Sequence, residues 1–196
     1  VPFMFFPNTD LPFDYSERFH REQVELAAKY GVRLYSLPCR IGWEGGEPDY
    51  SKAFERFQLI VERDPQALIL PRMFIGPESH WPIWEELLDS EVMTYADGSK
   101  GPISIASDYF WEYSNEYFAQ AIQTLEASPY GKHIIGYHPG GPDSEMFMRS
   151  YRSKGPDYSP ANQEGFRAYL REKYGSEEAL AEAWGRAGLT FSEARV

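Results

Sequence analysis

Four short apolar runs alternate with helical segments along the chain, and this alternation constrains the fold more than any other feature of the sequence. The runs lie at residues 2–6, 32–37, 67–75 and 133–137. Apolar residues recur at helical spacing in segments that begin near Ser16, Ser51, Ser107, Ser159 and Ser176. Strands that are apolar throughout and separated by helices form parallel sheets through right-handed crossovers. The sequence therefore predicts a βαβαβαβα order.

Two architectures have this order: an open doubly wound sheet and a (β/α) barrel. The first strand-to-helix turn, residues 7–12, lacks the glycine-rich phosphate cradle of dinucleotide-binding folds. Long polar and aromatic loops follow the second, third and fourth runs, where a barrel builds its active site. A complete barrel needs about 250 residues and eight strands. We therefore predict an α/β fold of the parallel TIM-barrel type, with residues 1–196 as a single domain and the N-terminal half of a larger catalytic barrel.

Charge and composition exclude several classes of partner. The net charge of −11 leaves no basic surplus for binding nucleic acid. The longest apolar stretches fall short of the ~20 residues of a membrane-spanning helix. Cys39 is the single cysteine, so it has no partner for an internal disulfide. We expect a soluble protein, and whether it is cytoplasmic or exported after removal of a signal peptide stays open.

The loop after the fourth run carries the best candidates for chemistry. Asp143 and Glu145 follow a stretch rich in glycine and proline, which lets a ligand approach the backbone. A carboxyl group just past the end of a barrel strand suits a general acid. The alternative is a solvated loop acid, since glutamate is mostly exposed in proteins.

The chain resembles retaining (β/α)-barrel glycoside hydrolases, and most closely the family 42 β-galactosidases and their relatives. The resemblance runs in order through nearly the whole chain, and its most specific piece is the segment 166–185. The matching stretches are Arg40-Ile-Gly-Trp43, Glu47-Pro-Asp-Tyr50, Leu70-Pro-Arg-Met-Phe-Ile-Gly-Pro77, Trp81-Pro82, Tyr95-Ala-Asp-Gly98, Ser104-Ile-Ala-Ser107, Ile134-Ile-Gly-Tyr137, Phe166-Arg-Ala-Tyr-Leu-Arg-Glu-Lys-Tyr-Gly175 and Ala183-Trp-Gly185.

The resemblance implies that Glu145 is the acid/base residue of a glycosidase acting on a β-linked sugar. The family usually places Asn-Glu at this point, whereas Ser144 precedes Glu145 here, and Asp143 is a rival. The family's nucleophilic carboxylate lies on a seventh strand, which these four βα units do not include. An inverting pair of Glu145 with Glu44, Glu47 or Glu78 is the alternative.

The resemblance and the loop positions also indicate a set of substrate-binding residues. Aromatic rings in such loops stack on the C–H faces of sugars, and an arginine can hold a hydroxyl or carboxylate by two hydrogen bonds. The candidates are Arg40, Trp43, Trp81, Tyr137, His138 and Asp143.

Two other functions stay open. One is a non-catalytic carbohydrate-binding or structural half-barrel. The other is a metal-dependent sugar-processing barrel, for which His80 and His138 would lie near Asp143 and Glu145, although no metal-ligand spacing supports it. We predict no metal and no cofactor, a carbohydrate as the ligand, and either self-association or a missing C-terminal half that completes the barrel.

Overall fold

The structure, a computed structural model, describes residues 4–5, 13–39, 41–44, 47–74, 89–140 and 155–196. Its helices are α1 (Phe13–Lys29), α2 (Ser51–Arg63), α3 (Asp108–Ala127), α4 (Pro160–Tyr174) and α5 (Glu177–Ala183). Its strands are β1 (Met4–Phe5), β2 (Leu34–Cys39), β3 (Gly42–Glu44), β4 (Glu47–Asp49), β5 (Leu68–Phe74), β6 (Val92–Thr94), β7 (Lys100–Ile103) and β8 (His138–Gly140).

Four strands form one parallel sheet in the order β1-β2-β5-β8. Apart from two short hairpins, this is the order of the strands along the chain. The predicted sequential parallel sheet is confirmed for these strands, and the order differs from that of a doubly wound sheet. β1 and β8 are the two edges, so the described strands form an open sheet rather than a closed barrel. A sheet of this kind is consistent with part of a TIM barrel.

One face of the sheet, which we call the helix face, carries Tyr35, Leu37, Cys39, Ile69 and Met73, all of which are buried. Side chains alternate along a strand, and paired residues of parallel neighbours share a face. The register pairs Tyr35 with Ile69 and Cys39 with Met73. α2 lies near the end of β2 on this side, since Arg56 Nη1 donates to the Pro38 carbonyl at 3.3 Å and the charge of Arg56 acts on the Cys39 thiol. The fully buried Phe57 and Ile60 of α2 extend this core.

The second face carries Ser36, Pro38, Leu68, Leu70, Arg72 and His138, as the same register requires. Its two ends differ in character. Leu68, near the amino end of β5, is 42% exposed, and Ile135 is 53% exposed. Ile135 follows Ile134, which bridges Ile69 near the amino end of the sheet. Ser36 and Arg72 are buried instead.

The fourth strand lies further along the chain than its apolar pattern predicts. Residues 133–137 were the predicted strand, but Gly131–His133 forms a 3₁₀ turn and only Ile134 makes a bridge before the strand begins at His138. The buried His133 places its Nδ1 3.0 Å from the Ala67 carbonyl oxygen. Between the pairs Ile69–Ile134 and Arg72–His138, β5 advances by three residues and the other chain by four. One extra residue therefore interrupts the ladder as a bulge does.

Local capping chemistry sets the helix ends where the sequence predicts them. Ser159 Oγ accepts from the Asn162 backbone N–H at 3.3 Å and Pro160 is the first residue of α4. Gly175 ends α4 with a φ of 72°, a conformation that favours glycine. The predicted Ser107 and Ser176 caps are also present, with bonds to Phe110 and Ala179. α1 differs, because it begins at Phe13 rather than at Ser16.

The chain divides into two compact units, residues 1–82 with 116–147 and residues 83–115 with 148–196. The first contains the parallel sheet. The second contains the β6–β7 hairpin in what the sequence predicts as a long loop, and α4 and α5, whose Leu170, Leu180 and Leu189 form a small core.

Asp157 links the parts of the second unit. It is fully buried, and its Oδ1 accepts from the backbone N–H groups of Thr94 at 3.0 Å and Ser159 at 2.8 Å. Its Oδ2 accepts from Ser159 Oγ at 2.9 Å. This carboxylate therefore connects the hairpin to the start of α4.

We predict that Asp157→Ala lowers the free energy of unfolding by about 2–4 kcal/mol, because buried N–H groups lose a charged acceptor. The control is Asp97→Ala, since Asp97 also accepts from a serine N–H and Oγ but is exposed in the β6–β7 turn. Its loss should be below about 1 kcal/mol. Urea unfolding followed by circular dichroism measures both, and equal losses would contradict the role of burial.

The exposed apolar residues Leu68 and Ile135 near the amino end of the sheet predict self-association of the 196-residue chain. We expect Ile135→Lys to lower both the mass measured by light scattering and the fluorescence of an apolar dye. Leu26→Lys, at a 55% exposed leucine of α1, is the matched control and should change neither. A monodisperse wild-type monomer that binds no dye would refute the prediction.

Candidate active site at the carboxyl ends of the parallel strands

The carboxyl ends of β2, β5 and β8 meet at one edge of the sheet, which is where TIM barrels place their catalytic residues. Two polar side chains of the described residues come to this edge on neighbouring strands. Arg72 of β5 pairs in register with His138 of β8, and on its other side with Pro38 of β2. These three residues therefore share the second face.

Most of the predicted site residues lie outside the part of the chain that the structure describes. This group comprises Arg40, Trp81, Asp143 and Glu145. Trp43 is in β3, where its backbone pairs with Pro48 of β4. The β3–β4 hairpin follows the carboxyl end of β2 after Arg40 and Ile41, and so it occupies a strand-to-helix loop at the candidate edge.

Asp49 closes this hairpin and begins the helix that follows it. Its carboxylate accepts from the Ser51 backbone N–H and from Ser51 Oγ, both at 2.9 Å. These hydrogen bonds to Ser51 lower the pKa of the Asp49 carboxyl. Its bonding pattern is that of an Asx turn just before α2, and it accounts for this acid without a catalytic role.

Tyr137 and His138 are adjacent in sequence, but the structure separates their environments. The Tyr137 ring meets the Phe118 ring of α3 edge-on, with centroids 6.4 Å apart. Burial raises the pKa of the Tyr137 hydroxyl to about 12, with the negative charge of Glu126 adding to the effect. These contacts place Tyr137 against a helix, whereas His138 lies beside Arg72 on the second face. Tyr137 is therefore partly buried against α3, and we leave it out of the proposed substrate-binding set.

Arg72 is a buried polar residue at this edge that the sequence reasoning did not single out. It lies inside the run Leu68-Ile-Leu-Pro-Arg-Met-Phe74. The apolar pattern of this run identifies a strand, and it does not single out the one charged residue within it. Only 5% of Arg72 is exposed. The signal was available, because a charged residue within an otherwise apolar strand is rarely fully buried without a specific reason.

A second polar group is buried near Arg72 on the same face. Ser36 of β2 is fully buried, and among the described residues its Oγ has no hydrogen-bond partner. Its register partner is Leu70, two residues before Arg72 on the neighbouring strand. At the usual strand spacings, Ser36 and Arg72 therefore stand about 8 Å apart at their Cα atoms, within reach of an arginine side chain.

Cys39 ends β2 close to this edge but belongs to the helix face. Burial raises the pKa of its thiol from the ordinary value of 9.0 to about 12, and the positive charge of Arg56 only partly offsets this. Since the thiolate is the nucleophilic form, a cysteine in this environment is unreactive. Because the pKa of the thiol is higher in the folded chain than in the unfolded one, ionisation of Cys39 opposes folding. The contribution of the neutral thiol to the free energy of unfolding is therefore complete below pH 9 and is lost as the pH rises toward 12.

The residues that the structure describes do not support the alternative of a metal-dependent sugar-processing barrel. Within those residues, His, Cys, Asp and Glu form no group of three or more that could hold a metal ion. His80, Asp143 and Glu145, which that alternative requires, lie outside them. A search of the same residues for a helix that is long and apolar enough to cross a membrane finds none.

Solved glycoside hydrolases share the fold of this chain. The catalytic domain of a β-amylase from Paenibacillus polymyxa superposes with a TM-score of 0.64 and 14% identity, over 98% of this chain and 52% of that one. A catalytic mutant of a GH42 β-galactosidase from G. stearothermophilus gives a TM-score of 0.61 and 16% identity, over 100% of this chain and 29% of that one.

Both solved structures are glycoside hydrolase TIM-barrel domains, and at these identities the likeness shows the fold. The chain spans about half the length of the first and less than a third of the second. Neither the protein-family models nor the curated proteins give a match. The described sheet is therefore similar to part of a glycoside hydrolase barrel, without an assignment to family 42.

The buried thiol predicts that iodoacetamide labels Cys39 at pH 8 at least about 100-fold more slowly in the folded chain than in urea. The control places a cysteine at the exposed Ala127, as Ala127→Cys in a Cys39→Ser background, and this residue should react at nearly the same rate in both states. Mass spectrometry measures the rates. Equal labelling of folded and unfolded Cys39 would contradict the burial of the thiol.

Proposed function

We propose that this chain forms part of the catalytic barrel of a glycoside hydrolase, with Glu145 as its acid/base residue. The observation that supports the proposal most is the position of β8. This strand ends at Gly140 beside β5 in a parallel sheet of TIM-barrel type, and Glu145 follows five residues later. Loops at this position carry the catalytic residues of such barrels.

The reaction assigns a definite task to Glu145. Its carboxylic acid protonates the glycosidic oxygen as the bond to the anomeric carbon breaks, and the resulting carboxylate then takes a proton from the incoming water. A retaining enzyme also needs a nucleophilic carboxylate about 5–5.5 Å away. We propose that this second carboxylate belongs to strands that complete the barrel, so the 196-residue chain alone does not turn over.

The substrate class in this proposal is a β-linked glycoside, with galactosides as the first choice. The sequence resemblance to family 42 supports this choice, and one solved neighbour is itself described as a β-galactosidase. Arg40, Trp43, Trp81, His138 and Asp143 are the proposed substrate-binding residues, with the aromatic side chains stacking on the sugar rings.

The proposal predicts a leaving-group signature in a protein that contains this segment with a completed barrel. Glu145→Gln should reduce hydrolysis of an alkyl β-galactoside about 10²–10⁴-fold, the usual contribution of a general acid. Hydrolysis of the dinitrophenyl β-galactoside should fall far less, because that leaving group needs little protonation. Steady-state rates on the two substrates measure the difference.

Two variants control this experiment. Asp143→Asn tests the rival acid, and Glu112→Gln makes the same amide substitution at an exposed residue of α3. The signature should appear at Glu145 alone. Unchanged turnover in Glu145→Gln, or the same signature in Asp143→Asn, would overturn the assignment.

A carbohydrate-binding half-barrel is the second candidate, because the chain matches 52% of one catalytic domain and 29% of the other enzyme. Binding of a thiogalactoside without hydrolysis, even when the barrel is completed, would favour it. Turnover by the completed barrel that depends on Glu145 would exclude it.

A further inference from the structure

We infer that Arg72 binds the substrate, through hydrogen bonds from its guanidinium group to two neighbouring hydroxyl oxygens of a pyranose ring. The inference rests on the proposed function and extends it to a residue of the described structure. It concerns the binding of the sugar, and so it can fail while Glu145 remains the acid.

The first argument is the cost of placing Arg72 where it is. A guanidinium group stays charged at any pH that a protein experiences, and burying it costs free energy unless charged or polar groups surround it. Arg72 is 5% exposed and lies on β5, between Pro38 of β2 and His138 of β8. An apolar residue at this position would pack without that cost, so the buried charge indicates that polar groups gather around Arg72.

The second argument is the direction in which the Arg72 side chain leaves the sheet. The neighbours of Arg72 along β5, Pro71 and Met73, are buried on the helix face, so Arg72 projects from the second face. In a barrel of the matched type this face is the interior. Arg72 is the fifth of the seven residues of β5, which places it toward the carboxyl end of the strand, where substrates bind.

The third argument is the distribution of polar groups over the second face. Near the amino end of the sheet, this face carries the exposed apolar residue Leu68. Toward the carboxyl end it carries Ser36, Arg72 and His138. The polar groups therefore gather at the end of the sheet from which the chain leaves β8 toward Glu145.

The chemistry of these groups fits an uncharged, hydroxyl-rich ligand. Arginine presents five N–H donors in a planar fork, which suits two acceptor oxygens on adjacent carbons. Ser36 offers a hydroxyl that can both donate and accept, and His138 adds a ring nitrogen. Vicinal hydroxyls of a sugar provide the acceptors for the fork.

Substitution of Arg72 in the full 196-residue chain carrying Glu145→Gln tests the inference. This background keeps hydrolysis out of the measurement. Titration calorimetry with isopropyl β-thiogalactoside, the corresponding thioglucoside and maltose gives the dissociation constants. We expect Arg72→Lys to weaken binding of the best of these sugars about 10- to 100-fold, since lysine keeps the charge but loses the fork.

Arg56→Lys is the matched control, because Arg56 is a partly buried arginine of α2 that donates to the Pro38 carbonyl. It should leave the dissociation constant unchanged within about twofold. Circular dichroism checks the fold of both variants. A purely structural arginine would lower the melting temperature of Arg72→Lys without changing the affinity of the protein that remains folded.

A measurement on the chain with arginine retained covers the case in which Arg72→Lys does not fold. The ¹⁵N–¹H resonance of Arg72 Nε should shift when the sugar is added, while that of Arg56 stays in place. Absence of that shift, equal affinity in Arg72→Lys, or no binding of any of the three sugars would overturn the inference. If Glu145 shows its leaving-group signature in spite of such a result, the proposed function stands and the role of Arg72 alone fails.

Discussion

The pairing of β2 with β5 determines the rest of the sheet. Six consecutive residue pairs, from Leu34–Leu68 to Cys39–Met73, set which side chains point toward the helices and which point away. A slip of one residue would turn Arg72 toward α2 and Met73 away from it, because side chains alternate with a period of two. The buried core and the candidate site are therefore two consequences of a single register.

The parts of the fold that depend on local chemistry could be predicted from the sequence. Serine caps, Pro160 and Gly175 act through bonds within a few residues, and α4 lies where these signals place it. The order of the parallel strands follows from the alternation of apolar runs and helices. The hairpins β3–β4 and β6–β7 could not be predicted in this way, since strands of three or four residues are too short to show a period.

The candidate site was less predictable, because it depends on which face of the sheet a side chain occupies as well as on its position along the strand. Sequence reasoning assigned Tyr137 and His138 to one site since both follow the same apolar run. The structure packs Tyr137 against Phe118 and pairs His138 with Arg72. Arg72 could not be singled out in this way, because its neighbours in sequence are apolar. The apolar pattern of a strand indicates a buried core and does not distinguish one residue of the strand from another. Which side of a strand a residue occupies becomes known only with the register.

The extra residue between Ile134 and His138 has a consequence for how such a chain tolerates insertions and deletions. If the ladder ran on regularly from the Ile69–Ile134 pair, Tyr137 would stand opposite Arg72, and the imidazole of His138 would turn to the other side of the sheet. A single codon lost from residues 135–137 would instead remove the interruption and leave His138 opposite Arg72. This stretch therefore tolerates a deletion that would invert the alternation of side chains in an uninterrupted strand.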